Sequence, residues 1–95
     1  MAGEERLTAR VVGQVQGVGF RWWIRARAER LGLTGWVMNE GDERSVAVVA
    51  EGQPSSLDEL EGLLRQGPSG ARVERVDASR QAASGEYDCF EIARW

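Results

Sequence analysis

The sequence predicts an α+β fold: two helices on one face of an antiparallel sheet, in the order β-α-β-β-α-β with one more strand at the end. Three observations predict it. Short stretches alternate apolar and polar residues, as half-buried strands do. Two longer stretches repeat apolar residues every three or four positions, as helices with one buried face do. A polar turn joins two strand-like segments into a hairpin lying between the two helical stretches.

Taken in order, residues 1–5 read as a flexible N-terminal tail. Leu7–Gly13 reads as a strand, with Leu7, Ala9 and Val11 alternating against Thr8, Arg10 and Val12. Gly13–Phe20 carries three glycines in eight residues and reads as a tight loop. Arg21–Leu31 reads as a helix whose stripe is Phe20, Ile24, Ala28 and Leu31, with Gly32 as its stop. Gly35–Asn39, the polar turn Glu40–Arg44 and the β-branched Ser45–Glu51 form the hairpin. Pro54–Gln66 reads as the second helix, with Leu57, Leu60 and Leu64 inward and Ser56 and Glu59 as a capping box. Arg72–Ser79 and Glu86–Arg94 supply the last strands. This is the split β-α-β order of a ferredoxin-like α/β sandwich. The sheet face away from the helices must then be covered by polar residues or by a partner.

Composition removes several chemistries. The 95 residues suit one domain, and the chain has neither histidine nor lysine, so all 12 cations are arginines. No Ser-His-Asp or Cys-His pair can exist, nor a Schiff base, nor a phosphate-loop lysine. The single cysteine, Cys89, forms no internal disulfide and no multi-cysteine metal site, which points to the reducing cytoplasm. The net charge of −3 argues against a mainly electrostatic nucleic-acid binder but leaves room for one arginine-lined anion site. No stretch reads as a signal peptide, and the apolar run Val46–Ala50 is far short of the ~20 residues of a membrane helix.

Two stretches carry chemistry. Gly13–Arg21 (GQVQGVGFR) leads from a strand into a helix N-terminus, where free N–H groups and the helix dipole favour an anion. Glycines let successive N–H groups curl around that anion. Arg21 stands where a guanidinium can grip phosphate oxygens in two-point fashion. On spacing alone the same stretch also fits a plain glycine turn with Arg21 on a solvated surface. It is neither a dinucleotide fingerprint nor a Walker loop. The second stretch is Gly35–Asn39 (GWVMN). In the split topology it runs parallel to the first strand, so Asn39 and the glycine loop fall at one end of the sheet. An amide there can orient a water and hold a phosphoryl oxygen, or simply begin the hairpin turn. Trp22 and Trp23 read as packing or rim residues, Trp36 and Cys89 as core, and Trp95 as a cover for the sheet edge.

Together the two stretches resemble the acylphosphatase family. Gly13 to Arg21 fits its G-x-V-Q-G-V-G-F-R pattern at every specified position, and Gly35 to Asn39 fits its G-W-V-x-N pattern. The resemblance extends to Val49–Gly52 and to the F-x-I ending at Phe90–Ile92. It implies a ferredoxin-like domain over residues 6–95 that hydrolyses the carboxyl-phosphate anhydride of acyl phosphates without metal or organic cofactor. It further implies catalytic roles for Arg21 and Asn39, and a phosphate cradle from the backbone of Gln16, Gly17, Val18, Gly19 and Phe20. The implied partners are a small acyl phosphate and inorganic phosphate, as product and inhibitor, with no nucleic acid or membrane, and a monomer working in the cytoplasm. One stretch departs from the pattern: Glu40–Ser45 is longer and more charged than the D-G turn of many relatives. The other readings are a catalytically idle anion-binding regulatory domain, a domain detached from larger carbamoyl-transfer proteins, and an RNA-recognition module. The last lacks stacking aromatics on Leu7–Gly13 and Ser45–Glu51.

Overall fold

Alternation gives the first strand two unlike faces. In the computed structural model, which describes residues 3–17 and 19–94, Leu7, Ala9 and Val11 of β1 (Glu5–Gln14) are buried while Thr8 and Arg10 face outward. The chain continues through α1 (Phe20–Arg30), β2 (Thr34–Asn39), β3 (Ser45–Gly52), α2 (Pro54–Gln66), β4 (Arg72–Ala82) and β5 (Phe90–Ile92). The sheet order is β4-β1-β3-β2-β5. Pairing is in step with the apolar pattern: Val11 lies opposite Val46 and Val76, Ala9 opposite Val48, and Leu7 opposite Ala50. A one-residue slip in any of these pairs would turn the apolar set outward, so burial fixes the register. Phe20, Ile24 and Ala28 of α1 and Leu57, Leu60 and Leu64 of α2 close the core over this face. Among the described residues no helix is long and apolar enough to cross a membrane.

The sheet is mixed, not wholly antiparallel, because β5 runs parallel to β2. The reason is topological. β4 ends at the sheet end where β2 begins, and residues 83–89 cross that end directly to the far edge. A strand started there must run with β2. Other expectations are corrected too. Glu5, expected in the tail, pairs with Gly52 and Ala82 inside β1; Met1 and Ala2 lie outside the described residues. The second helix starts at Pro54, a residue pre-set for a first helical turn. Its N-cap is Gln53 without a side-chain bond, so Ser56 lies within the helix and forms no capping box. Trp36 is not core: Val37 takes the helix-facing position, and Trp36 lies half-buried on the open face with its indole N–H donated to the Tyr87 hydroxyl at 3.3 Å. Cys89 is exposed rather than packed. The expected place of Trp95 lies outside the described residues.

Gly35 shows why the second motif opens on glycine. Its φ is 136°, and a Cβ built there would stand 1.9 Å from the Val49 carbonyl oxygen of the neighbouring strand. No side chain survives that contact without moving the β2–β3 pairing. Gly35→Ala is therefore expected to lower unfolding stability by about 2–4 kcal/mol. Urea denaturation checks it, and a loss below the noise of that measurement would show that the close approach is relaxed in solution.

Among the described residues Glu51 is the buried charge, 2% exposed. It accepts from Arg6 Nε at 2.7 Å, the Ser84 amide at 2.9 Å, the Ser84 hydroxyl at 3.0 Å and the Gly85 amide at 2.9 Å. Burial pushes its carboxyl up, but the Ser84 amide, the Arg6 guanidinium and the Gly85 amide outweigh it and hold the group at about 2. The carboxylate thus pins the crossing segment that aims β5. Since the folded value lies below the unfolded one near 4.5, this stabilisation is complete above that value. It drains away as pH falls from there through about 2. Glu51→Gln is expected to cost about 2–3 kcal/mol at neutral pH. The gap from wild type should close on acidification, read by urea unfolding across the acid range.

Candidate active site

The two motif strands do not touch. β1 and β2 both pair antiparallel with β3, so they point the same way on either side of it. Their C-terminal ends therefore lie at one end of the sheet, about 10 Å apart across two strand spacings. The glycine loop leaves β1 there and crosses towards α1, which packs on β2 and β5. The side chain of Gln16 marks the crossing. Its Nε2 donates to the Glu40 carbonyl at 3.0 Å and to the Ser45 carbonyl at 2.9 Å. The first motif is thus tied to the residue that directly follows Asn39.

The start of α1 has the features that favour an anion. Gly19 is the N-cap in the left-handed region at φ 76°, with no side-chain bond and no acidic residue in the first turn. Gly17 shares that conformation at φ 75°, and a side chain at either position would meet open space but a strained backbone. The first helical bond is donated by Trp23 to the Gly19 carbonyl at 3.0 Å. The amides of Phe20, Arg21 and Trp22 therefore lead the helix with the positive end of its dipole. Phe20 is 1% exposed and its ring fills the core, so only its amide can face a ligand. Arg21 is half-buried in the first turn and makes no ion pair among the described residues. Val18 lies outside the described residues.

Asn39 ends β2 opposite Val46. Its Oδ1 is buried and has no hydrogen-bond partner among the described residues. A buried amide oxygen normally has a partner, so an unmatched one marks a place made for a water or a ligand. The turn after it is cross-bonded. Asp42 accepts from the amides of Arg44 and Ser45 at 2.9 and 3.0 Å, from the Ser45 hydroxyl at 2.8 Å and from Arg10 Nη2 at 2.8 Å. The Arg44 amide, with the Ser45 hydroxyl and amide and the Arg10 guanidinium, holds its carboxyl below the usual range. Glu40 accepts from Arg10 Nε at 2.8 Å. The Asp42 carboxylate is thereby bound to Arg10 and to the turn itself, and that of Glu40 to Arg10. The length and charge of Glu40–Ser45 build this latch.

Sequence reasoning missed the side-chain role of Gln16 and the bonds of Asp42. Only the departure of the turn from the family pattern hinted at the latter. A cavity of about 390 Å³ is lined by Trp36, Met38, Tyr87, Cys89 and Glu91 on the open face and holds neither Arg21 nor Asn39. Among the described residues no group of three or more cysteine, aspartate or glutamate side chains is arranged to hold a metal ion.

Comparison with known proteins agrees with this fold. A family model described as Acylphosphatase matches residues 7–92. The chain belongs to the acylphosphatase family. A Mycobacterium sp. (strain KMS) acylphosphatase is 55% identical over 87 residues, 92% of each chain. The crystal structure of acylphosphatase from Bacillus subtilis superposes with a TM-score of 0.90 at 28% identity, covering 95% of this chain and 99% of that one. An acylphosphatase structure from Coxiella burnetii gives a TM-score of 0.89 at 36% identity, covering 96% and 94%. Both motifs lie inside the matched span, the first from the end of β1 through the glycine loop into α1, the second in β2.

Proposed function

We propose that this acylphosphatase hydrolyses the anhydride of a small acyl phosphate to a carboxylate and inorganic phosphate. The observation that carries the reading is the buried Oδ1 of Asn39, without a partner among the described residues, on a hairpin that Gln16 ties to the glycine loop leading into an uncapped helix N-terminus that bears Arg21. In this reading the backbone amides of Gln16, Gly17, Val18, Gly19 and Phe20, with the Arg21 guanidinium, hold the phosphoryl group. Asn39 accepts a hydrogen bond from the attacking water through Oδ1 and aims the water in line with the leaving carboxylate.

The water oxygen bonds to phosphorus while the bond from phosphorus to the acyl oxygen breaks, and the electron pair leaves on the carboxylate. The water proton passes to a phosphoryl oxygen. Because the carboxylate is a good leaving group, positioning and charge stabilisation suffice. No metal or organic cofactor enters any step. The reading extends to a monomer in the cytoplasm, supported by the free Cys89 and by both motifs coming from one chain.

The test is phosphate release from benzoyl phosphate with a metal chelator present. Turnover should be unchanged by the chelator and inhibited competitively by inorganic phosphate, which matches the cradle. Absence of hydrolysis, or inhibition that excess substrate does not relieve, would reject the reading.

A further inference from the structure

Gln16 lies within the glycine motif, where its side chain invites a reading as a phosphate ligand. The geometry points elsewhere. A carboxamide nitrogen carries two hydrogens. One goes to the Glu40 carbonyl at 3.0 Å and the other to the Ser45 carbonyl at 2.9 Å. Both neighbours are acceptors, so the nitrogen must face them, and no side-chain donor remains for an anion. These carbonyls are also the ones that close the hairpin. Glu40 N–H donates to Ser45 O at 2.9 Å, and Glu43 N–H to Glu40 O at 3.3 Å. Each carbonyl thus accepts one bond from the turn and one from the glycine loop. We infer that Gln16 is a positioning residue: its side chain clamps the hairpin bearing Asn39 to the phosphate loop and holds no part of the substrate.

The consequence is a division of labour within one motif. The Gln16 backbone belongs to the cradle, while its side chain sets where the water-orienting amide stands relative to that cradle. The inference rests on the acylphosphatase reading for its kinetic arm alone. Gln16→Met keeps the bulk and removes both donors. Misplacement of a reacting group by a fraction of an ångström to one ångström costs about tenfold to a hundredfold. The expected result is such a fall in kcat, with KM and the inhibition constant for inorganic phosphate within about threefold of wild type. Leu57→Val, a core change in the first turn of α2 at the opposite end of the sheet from the loop, should lose stability while keeping kcat. An unchanged kcat in Gln16→Met would overturn the inference. So would a rise in KM and the phosphate constant at constant kcat, the mark of a lost phosphate ligand.

Two further readouts stand if Gln16→Met folds poorly. Gln16→Glu turns a carboxylate towards two carbonyl oxygens, and protonation restores one donor. Its kcat relative to wild type should rise as pH falls; a flat ratio overturns the clamp. Hydrogen exchange needs no turnover. In either folded variant the Glu40 and Glu43 amides should exchange about tenfold faster while that of Val48 in β3 stays protected. Unchanged exchange in the hairpin overturns the inference whether or not the protein hydrolyses acyl phosphates. Absence of wild-type hydrolysis rejects the functional reading and leaves this arm to judge the clamp.

Discussion

Arg21→Ala is expected to lower kcat/KM for benzoyl phosphate by about 10³-fold, the scale of losing a charged donor aimed at the transition state. Phosphoryl oxygens carry their charge in every state of the reaction, so binding should suffer along with turnover. KM and the phosphate inhibition constant should both rise. Arg21→Lys is the sharper variant. It keeps a positive charge at the start of α1 but loses the planar fork, and a shorter, strongly hydrated point charge cannot span two phosphoryl oxygens. Its expected kcat/KM stays about 10²-fold below wild type. Steady-state kinetics on both variants, with circular dichroism to confirm the fold, checks this. Near-full activity in Arg21→Lys would mean that charge alone matters at this position.

Asn39→Ala is expected to show the opposite split. The cradle amides and Arg21 remain, so inorganic phosphate should inhibit with a constant close to that of wild type. Turnover should fall by about 10²–10³-fold, because the attacking water has lost the oxygen that aims it. The change also removes a buried Oδ1 that has no partner among the described residues. Deleting an unsatisfied buried acceptor relieves a desolvation penalty, so the variant should be as stable as wild type or more so. Lower activity with undiminished stability is the signature of a group kept for chemistry. A variant that lost stability and kept kcat would assign Asn39 to the turn alone.

Much of this could be read from residue order. Leu7, Ala9 and Val11 announce a strand by alternation, and Phe20, Ile24 and Ala28 announce a helix by their spacing, because burial of one face is a local property of the chain. Both motifs were legible for the same reason: glycine at a helix start and asparagine at a strand end are local features. What failed was non-local. Trp36 looked like core because it is large and apolar, yet which of the two alternating faces of β2 the helices cover is set by its pairing with β3, and they cover that of Val37. Cys89 is exposed because the segment crossing the sheet end is held by Glu51 rather than by apolar packing. The direction of β5 depends on which end of the sheet that segment crosses. Within the candidate site, the places of Arg21 at a helix start and Asn39 at a strand end were legible from the motifs, but the bond from Gln16 to Glu40 joins residues 24 apart in sequence, and no spacing rule reaches it.

The intervening strand has one more consequence. Since β3 is the shared neighbour of both motif-bearing strands, it works as a ruler graduated in whole residues. A two-residue slip of β2 along it would keep every apolar side chain facing inward, yet carry Asn39 about 7 Å from its station. Misalignment of this kind comes in jumps rather than by drift. A population of partly active molecules should therefore consist of fully competent and fully silent members, not of uniformly slower ones.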